Sequence, residues 1–202
     1  MALRVVCGAA LAAIAMFFWG AFYWVFLGNV LAVDITLPTA DQVAITESLK
    51  PTLIQSGVYW IPSPVEGEDR DDDPNSPWIV RHREGPVAHI FYQTQGLDPM
   101  SNSTLVLGFL HTLACALFVG GLLAVLKTSL CCYRARWGFV IGLGVLVGIW
   151  GELRQVIWMY HSFRYELFNA CYDISSWMIG GAILAAIVKV PKPKMDVTAL
   201  TV

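Results

Sequence analysis

Four long apolar runs, separated by polar stretches, organise this chain. They cover residues 4–33, 104–126, 137–158 and 167–188. Each reaches the roughly 20 residues that an α-helix needs to cross hydrocarbon. The first is longer, which predicts tilt or an extension past the lipid. The third is interrupted near its end by Glu152 and Arg154. The pattern predicts an integral membrane protein, mainly α, with a four-transmembrane-helix bundle and a small α+β extracytoplasmic subdomain. Its parts are residues 1–33 (N-terminus and first span), 34–103 (external subdomain), 104–126 (second span), 127–136 (basic loop), 137–158 (third span), 159–166 (short external loop), 167–188 (fourth span) and 189–202 (tail).

The segment 34–103 changes period. Thr39, with Gln42 three residues on, resembles a capping box and predicts a helix to Leu49, stopped by Pro51. Residues 58–61, 78–80 and 87–95 read as strands bounded by Gly57, Pro62, Gly85 and Pro86, and 64–77 as a solvated acidic loop. Two or three strands and one helix are marginal alone. Tyr59, Trp60, Phe91 and Tyr92 are therefore expected to lean on the bundle or on a partner.

Composition agrees with the runs: 56% of residues are hydrophobic and 14% charged. If four helices alternate, Arg4, Lys127, Arg134, Arg136, Lys189, Lys192 and Lys194 fall on one side and only Arg154 and Arg164 in the opposite short loop. Cytoplasmic loops carry the excess of Lys and Arg, so both termini are expected inside. The external segment carries eleven acids against four bases, a net charge of −7. An acidic soluble segment argues against nucleic-acid binding. None of Cys7, Cys115, Cys131, Cys132 and Cys171 lies in it, so it holds no internal disulfide. The N-terminal run is about twice the length of a signal-peptide core and reads as an uncleaved anchor. The sequon at Asn102 abuts a span and is discounted.

Charge inside hydrocarbon is costly, by roughly 2.5–3.5 kcal/mol per residue on insertion scales, and marks sites. His111, Glu152, Arg154 and Asp173 fall at similar depths toward the same side of the bilayer. Asn169, Asp173, Ser176 and Gly180 share a face of the fourth helix, as do Gly108, His111 and Cys115 on the second. These residues predict a polar cluster of His111, Glu152, Arg154 and Asp173, with Tyr160, His161 and Arg164 as a lid. Two readings stay open: ion pairs that fix helix register, or a binding or proton-accessible cavity opening outward. Gly138 and Gly142, Gly144 and Gly148, and the pair Gly180-Gly181 are helix-packing signals, either for a dimer seam or for contact within one bundle.

Other chemistry finds less support. Bis-His haem ligation lacks a second histidine at the depth of His111, and no paired metal-ligand motif is present, so neither metal nor cofactor is predicted. Asp71, Asp73 and Asn75 match the start of a calcium loop, but Ser76 replaces its glycine and His82 its final glutamate. No nucleophile elbow or phosphate-binding glycine loop occurs.

Ser56-Gly57-Val58-Tyr59 with Pro62, Gly85-Pro86, Gly96-Leu97-Asp98-Pro99-Met100, Trp158 with Tyr160 and Phe163, and Asp173, Trp177 and Gly180-Gly181 form one ordered series. In this the chain resembles an uncharacterised group of small bacterial inner-membrane proteins with an external segment between the first two spans. The resemblance implies a four-helix architecture and a bacterial inner-membrane location, and it carries over no catalytic residue. The expected function is a non-enzymatic accessory, assembly or stabilising subunit of a larger membrane complex, with membrane lipids and other subunits as partners. The alternatives are a small-molecule, lipid or proton-handling site in the outer half of the bundle, and a haem or metal redox subunit.

Overall fold

The computed structural model describes residues 1–65, 68, 73–99 and 101–189. Most of the acidic run at 66–73, including Asp71 of the calcium reading, and the tail from residue 190 lie outside the described residues. In chain order the elements are α1 (Ala2–Leu31), α2 (Thr39–Leu49), β1 (Gly57–Ile61), α3 (Pro77–Glu84), β2 (Ala88–Tyr92), α4 (Asn102–Thr128), α5 (Tyr133–Trp158) and α6 (Phe163–Ile187). They fall into two compact units. One holds Met1–Asp34, Met100–Val156 and His161–Val202; the other holds Ile35–Pro99 with Ile157–Tyr160.

The first unit contains the four helices long and apolar enough to cross a membrane, α1, α4, α5 and α6. The packing order is α4–α1–α6–α5, and no substantial face joins α4 to α5. Small residues set the spacing. Ala9, Ala12 and Ala13 of α1 are fully buried, against Ala116 and Leu123 of α4 and Leu184 of α6. On the other flank of α6, a Cβ on Gly144 would come within 2.7 Å of Trp177, and one on Gly148 within 3.1 Å of the Ala170 carbonyl oxygen. Gly181 is equally tight against Val140, and Gly180 lies against Met16. Gly138 and Gly142 face open space. Four of the six glycines singled out by spacing therefore serve contact within the unit.

α5 begins at Tyr133, four residues before the apolar run, because Arg136 is not a solvent-facing charge. It is 5% exposed. Its Nε–H donates to the Ala185 carbonyl at 3.0 Å and its Nη1 to the carbonyls of Leu130 and Cys131 at 3.1 and 3.3 Å. The guanidinium thus serves carbonyls in the last turn of α6 and in the link between α4 and α5.

The second unit holds α2, α3 and a two-stranded antiparallel sheet in which Gly57 pairs with Tyr92 and Ile61 with Ala88. The strand expected at 78–80 is instead the first turn of α3. Ser76 caps it, accepting from the Ile79 N–H at 3.4 Å, and Pro77 fills the first turn, where its missing N–H costs nothing. Local capping outweighs the β-propensity of Trp78-Ile79-Val80. The capping box at Thr39 is also corrected: Pro38 occupies the cap position, and the Gln42 side chain donates to the Leu37 carbonyl at 2.7 Å. Among the described residues of this unit, Leu53 is the only buried hydrophobic side chain and Ser76 the only buried polar one. α2 buries none of its residues.

Candidate functional site

The most buried acid of the first unit is Glu166, in the first turn of α6 and 2% exposed. A carboxylate there is favoured by the helix dipole. Its Oε1 lies 2.6 Å from His161 Nδ1, and the Asn169 side-chain N–H donates to Oε2 at 3.2 Å. His161 is turned back toward α6 by the bend between α5 and α6. There Tyr160 takes a left-handed conformation (φ 57°) and the His161 N–H donates to the Gln155 carbonyl at 3.3 Å.

α5 brings a second carboxyl. Residues Gly148–Leu153 form a π-helical turn packed on α6, a departure that recurs at functional sites. The missing Cβ of Gly148 admits the Ala170 carbonyl, and the widened turn places Glu152 against Glu166 at hydrogen-bonding range. Asp173 and His161 lie within its electrostatic reach. A carboxyl–carboxyl contact closes as a hydrogen bond when one of the two carries a proton. Glu166 thus meets the His161 imidazole on one oxygen and the Asn169 amide on the other, with Glu152 beside it, so a proton can be shared between carboxyl oxygen and imidazole nitrogen.

α1 covers α6 with aromatic rings. The Tyr23 hydroxyl donates to the Phe168 carbonyl at 2.9 Å, and its ring lies 4.4 Å from Phe168 and 5.3 Å from Tyr172. Trp19 Nε1–H donates to Ser175 Oγ at 2.9 Å, and Ser175 donates in turn to the Tyr172 carbonyl at 3.0 Å. Gly20 makes room for this layer, since a Cβ there would meet the Tyr172 hydroxyl at 2.8 Å.

Of the four residues expected to cluster, Glu152 and Asp173 are half-buried on α5 and α6, and no hydrogen bond or ion pair joins any two of the four. Arg154 is exposed, apart from the carboxyls. His111 is exposed on α4, which buries only Ala116, Val119, Gly120 and Leu123 against its neighbours; its Nε2 lies 3.7 Å from Cys115 Sγ. Of the three lid residues, His161 joins the carboxyls. Arg164 is exposed and donates to the Leu31 carbonyl. Tyr160 belongs to the second unit, its ring 5.4 Å from that of His82. Sequence reasoning missed Glu166, because it assigned that position to the loop at 159–166. The signal was present: Glu166, Asn169 and Asp173 are spaced by three and four, extending the polar stripe one step toward the N-terminus.

Among the described residues no three His, Cys, Asp or Glu side chains converge as metal ligands. No family model matches the chain, and no curated protein or solved structure is detectably similar to it.

Proposed function

We propose that this chain is a non-enzymatic, multi-pass membrane protein acting as an accessory or stabilising subunit of a larger membrane complex. On this reading it sits in a bacterial inner membrane with both termini cytoplasmic, and its second unit faces outward to engage a partner. The observation that carries this is the near absence of a core in that unit. Ile35, Ile54, Phe91 and Leu97 are 94, 84, 72 and 75% exposed. Apolar surface on that scale favours a protein interface over water. Native mass spectrometry after mild extraction from the source membranes tests the proposal. Reproducible co-migrating subunits support it, and a bare monomer overturns it.

A second reading is supported by the Glu152–Glu166–His161 contact: a site in the first unit that handles protons or a small polar ligand. Under it, Glu166→Gln in the extracted complex abolishes a transport or proton-linked activity while the protein stays folded. A variant that loses only thermal stability makes the array structural.

A further inference from the structure

The second unit contains a cavity of about 700 Å³, within the range of small-molecule sites. All of its lining residues belong to that unit. Its walls are aromatic: Tyr59, Trp60, Trp78, His82, Trp158 and Tyr160. Among the described lining residues none carries a fixed charge, yet the segment 34–103 has a net charge of −7. The described bases of the unit are already engaged. Lys50 pairs with Glu47 at 2.7 Å, Arg81 with Glu68 at 2.6 Å, and Arg83 donates to the Pro74 carbonyl at 2.9 Å.

The walls are held in place. Trp78 Nε1–H donates to the Pro62 carbonyl at 3.4 Å, and Arg81 Nη2 reaches the Ser63 carbonyl at 3.5 Å while Glu68 grips the same guanidinium. The Trp78, His82 and Tyr160 rings follow one another at 5.8 and 5.4 Å. Three rings stay open to a ligand, Trp158 at 70%, Tyr160 at 62% and Trp60 at 42% exposure. His82 adds an unmet need. Its Nδ1 is buried with no hydrogen-bond partner among the described residues, an orphan that asks for an explanation.

We infer that this aromatic cavity binds a small organic cation of the alkylammonium class. Aromatic faces attract a cation through the ring quadrupole, most strongly for Trp and when water is excluded. The acidic unit raises the local concentration of cations. A carbohydrate would stack on the same rings, but its hydroxyls need a dense set of donors and acceptors, and beside the indole N–H groups, which only donate, Ser63, His82 and two phenols are the polar side chains offered. The ammonium group can arrive on a free small molecule or on a lipid headgroup.

The test uses the full-length protein in neutral maltoside micelles, titrated with choline and, separately, with its neutral isostere 3,3-dimethylbutanol, and read by tryptophan fluorescence. Saturable quenching by choline, about tenfold tighter than by the isostere, is expected. Equal affinity for the two reduces the cavity to an apolar pocket, and no saturation by about 10 mM choline, a very weak affinity, removes the site; either overturns the inference. Trp158→Leu, at an exposed ring, should weaken choline about threefold to tenfold without unfolding, and an unchanged affinity for choline in that variant places the binding elsewhere and also overturns it. Repeating the titration in nanodiscs of phosphatidylglycerol with and without phosphatidylcholine separates the sources. Competition by phosphatidylcholine assigns the headgroup; its absence, with choline still bound, assigns the free cation.

Discussion

The two units of this chain solve burial in opposite ways. In the first, alanines and glycines let helices approach until backbone meets side chain, and the buried charges are partnered: Glu166 by His161 and Asn169, Arg136 by backbone carbonyls. In the second, one leucine is the only buried hydrophobic side chain among the described residues, and apolar side chains stand out on helix, strand and loop. The contrast teaches where each unit looks for its missing contacts. The four apolar helices pack along close seams and leave apolar outer faces, compatible with a membrane-spanning bundle. The described residues of the second unit leave Ile35, Ile54, Phe91 and Leu97 largely uncovered, and apolar surface of that kind favours another molecule over water.

The largest break in this comparison comes from filling a seam. Gly144→Leu drives a side chain into Trp177 and should cost about 3 kcal/mol, seen as loss of monodisperse protein in detergent. Gly142→Leu, where nothing stands within 4 Å, should change stability by less than about 0.5 kcal/mol. Next comes Glu166→Ala, which leaves the half-buried His161 and Asn169 side chains without their acceptor and should cost about 2 kcal/mol. Glu166→Gln keeps an acceptor and should recover about half of that on a thermal-unfolding curve. Third, limited proteolysis should cut the second unit of the isolated protein within residues 35–65 well before any of the four long helices, and a bound partner should suppress that cut.

The smallest effect is a pH dependence confined to the second unit. The Arg81 guanidinium, and then the Val65 N–H, pull the Glu68 carboxyl from 4.5 down to about 2. A folded-state value below the unfolded one stabilises above the unfolded value and is lost as protons add. The rim at Ser63 should therefore loosen as pH falls from about 4.5 toward 2, read as increased tryptophan quenching by iodide or acrylamide. Insensitivity over that window would leave the Arg81–Glu68 pair without a structural role.

The four long helices were legible because hydropathy over twenty residues is a strong signal that tertiary context rarely reverses. Their ends were less so. Arg136 and Glu166 look like flanking charges by type, and only their partners on α6 and at His161 reveal that each lies inside. The helix at Pro77–Glu84 was hidden behind three residues of high β-propensity, and the decisive information was the Ser76-Pro77 start rather than the run that follows. Glu152 and Asp173 were visible as charge in apolar sequence. That His111 and Arg154 point elsewhere was not, since depth along a helix says nothing of direction around it, and the π-helical turn at Gly148–Leu153 rotates whatever follows. The cavity draws on 58–64, 78, 82 and 158–160, stretches too far apart for any spacing rule to join.

The packing order α4–α1–α6–α5 also sets a timetable for synthesis. The first helix to leave the ribosome has two neighbours, α4 and α6, and the second of these begins at Phe163, more than 130 residues after α1 ends at Leu31. A nascent chain halted before Phe163 holds α1 by one flank only, with Met16 and Tyr23 waiting for Gly180 and Phe168. Contacts that distant in sequence form late. The contacts of the first helix are therefore left open while the second unit and two further helices are made, and the last helix completes them.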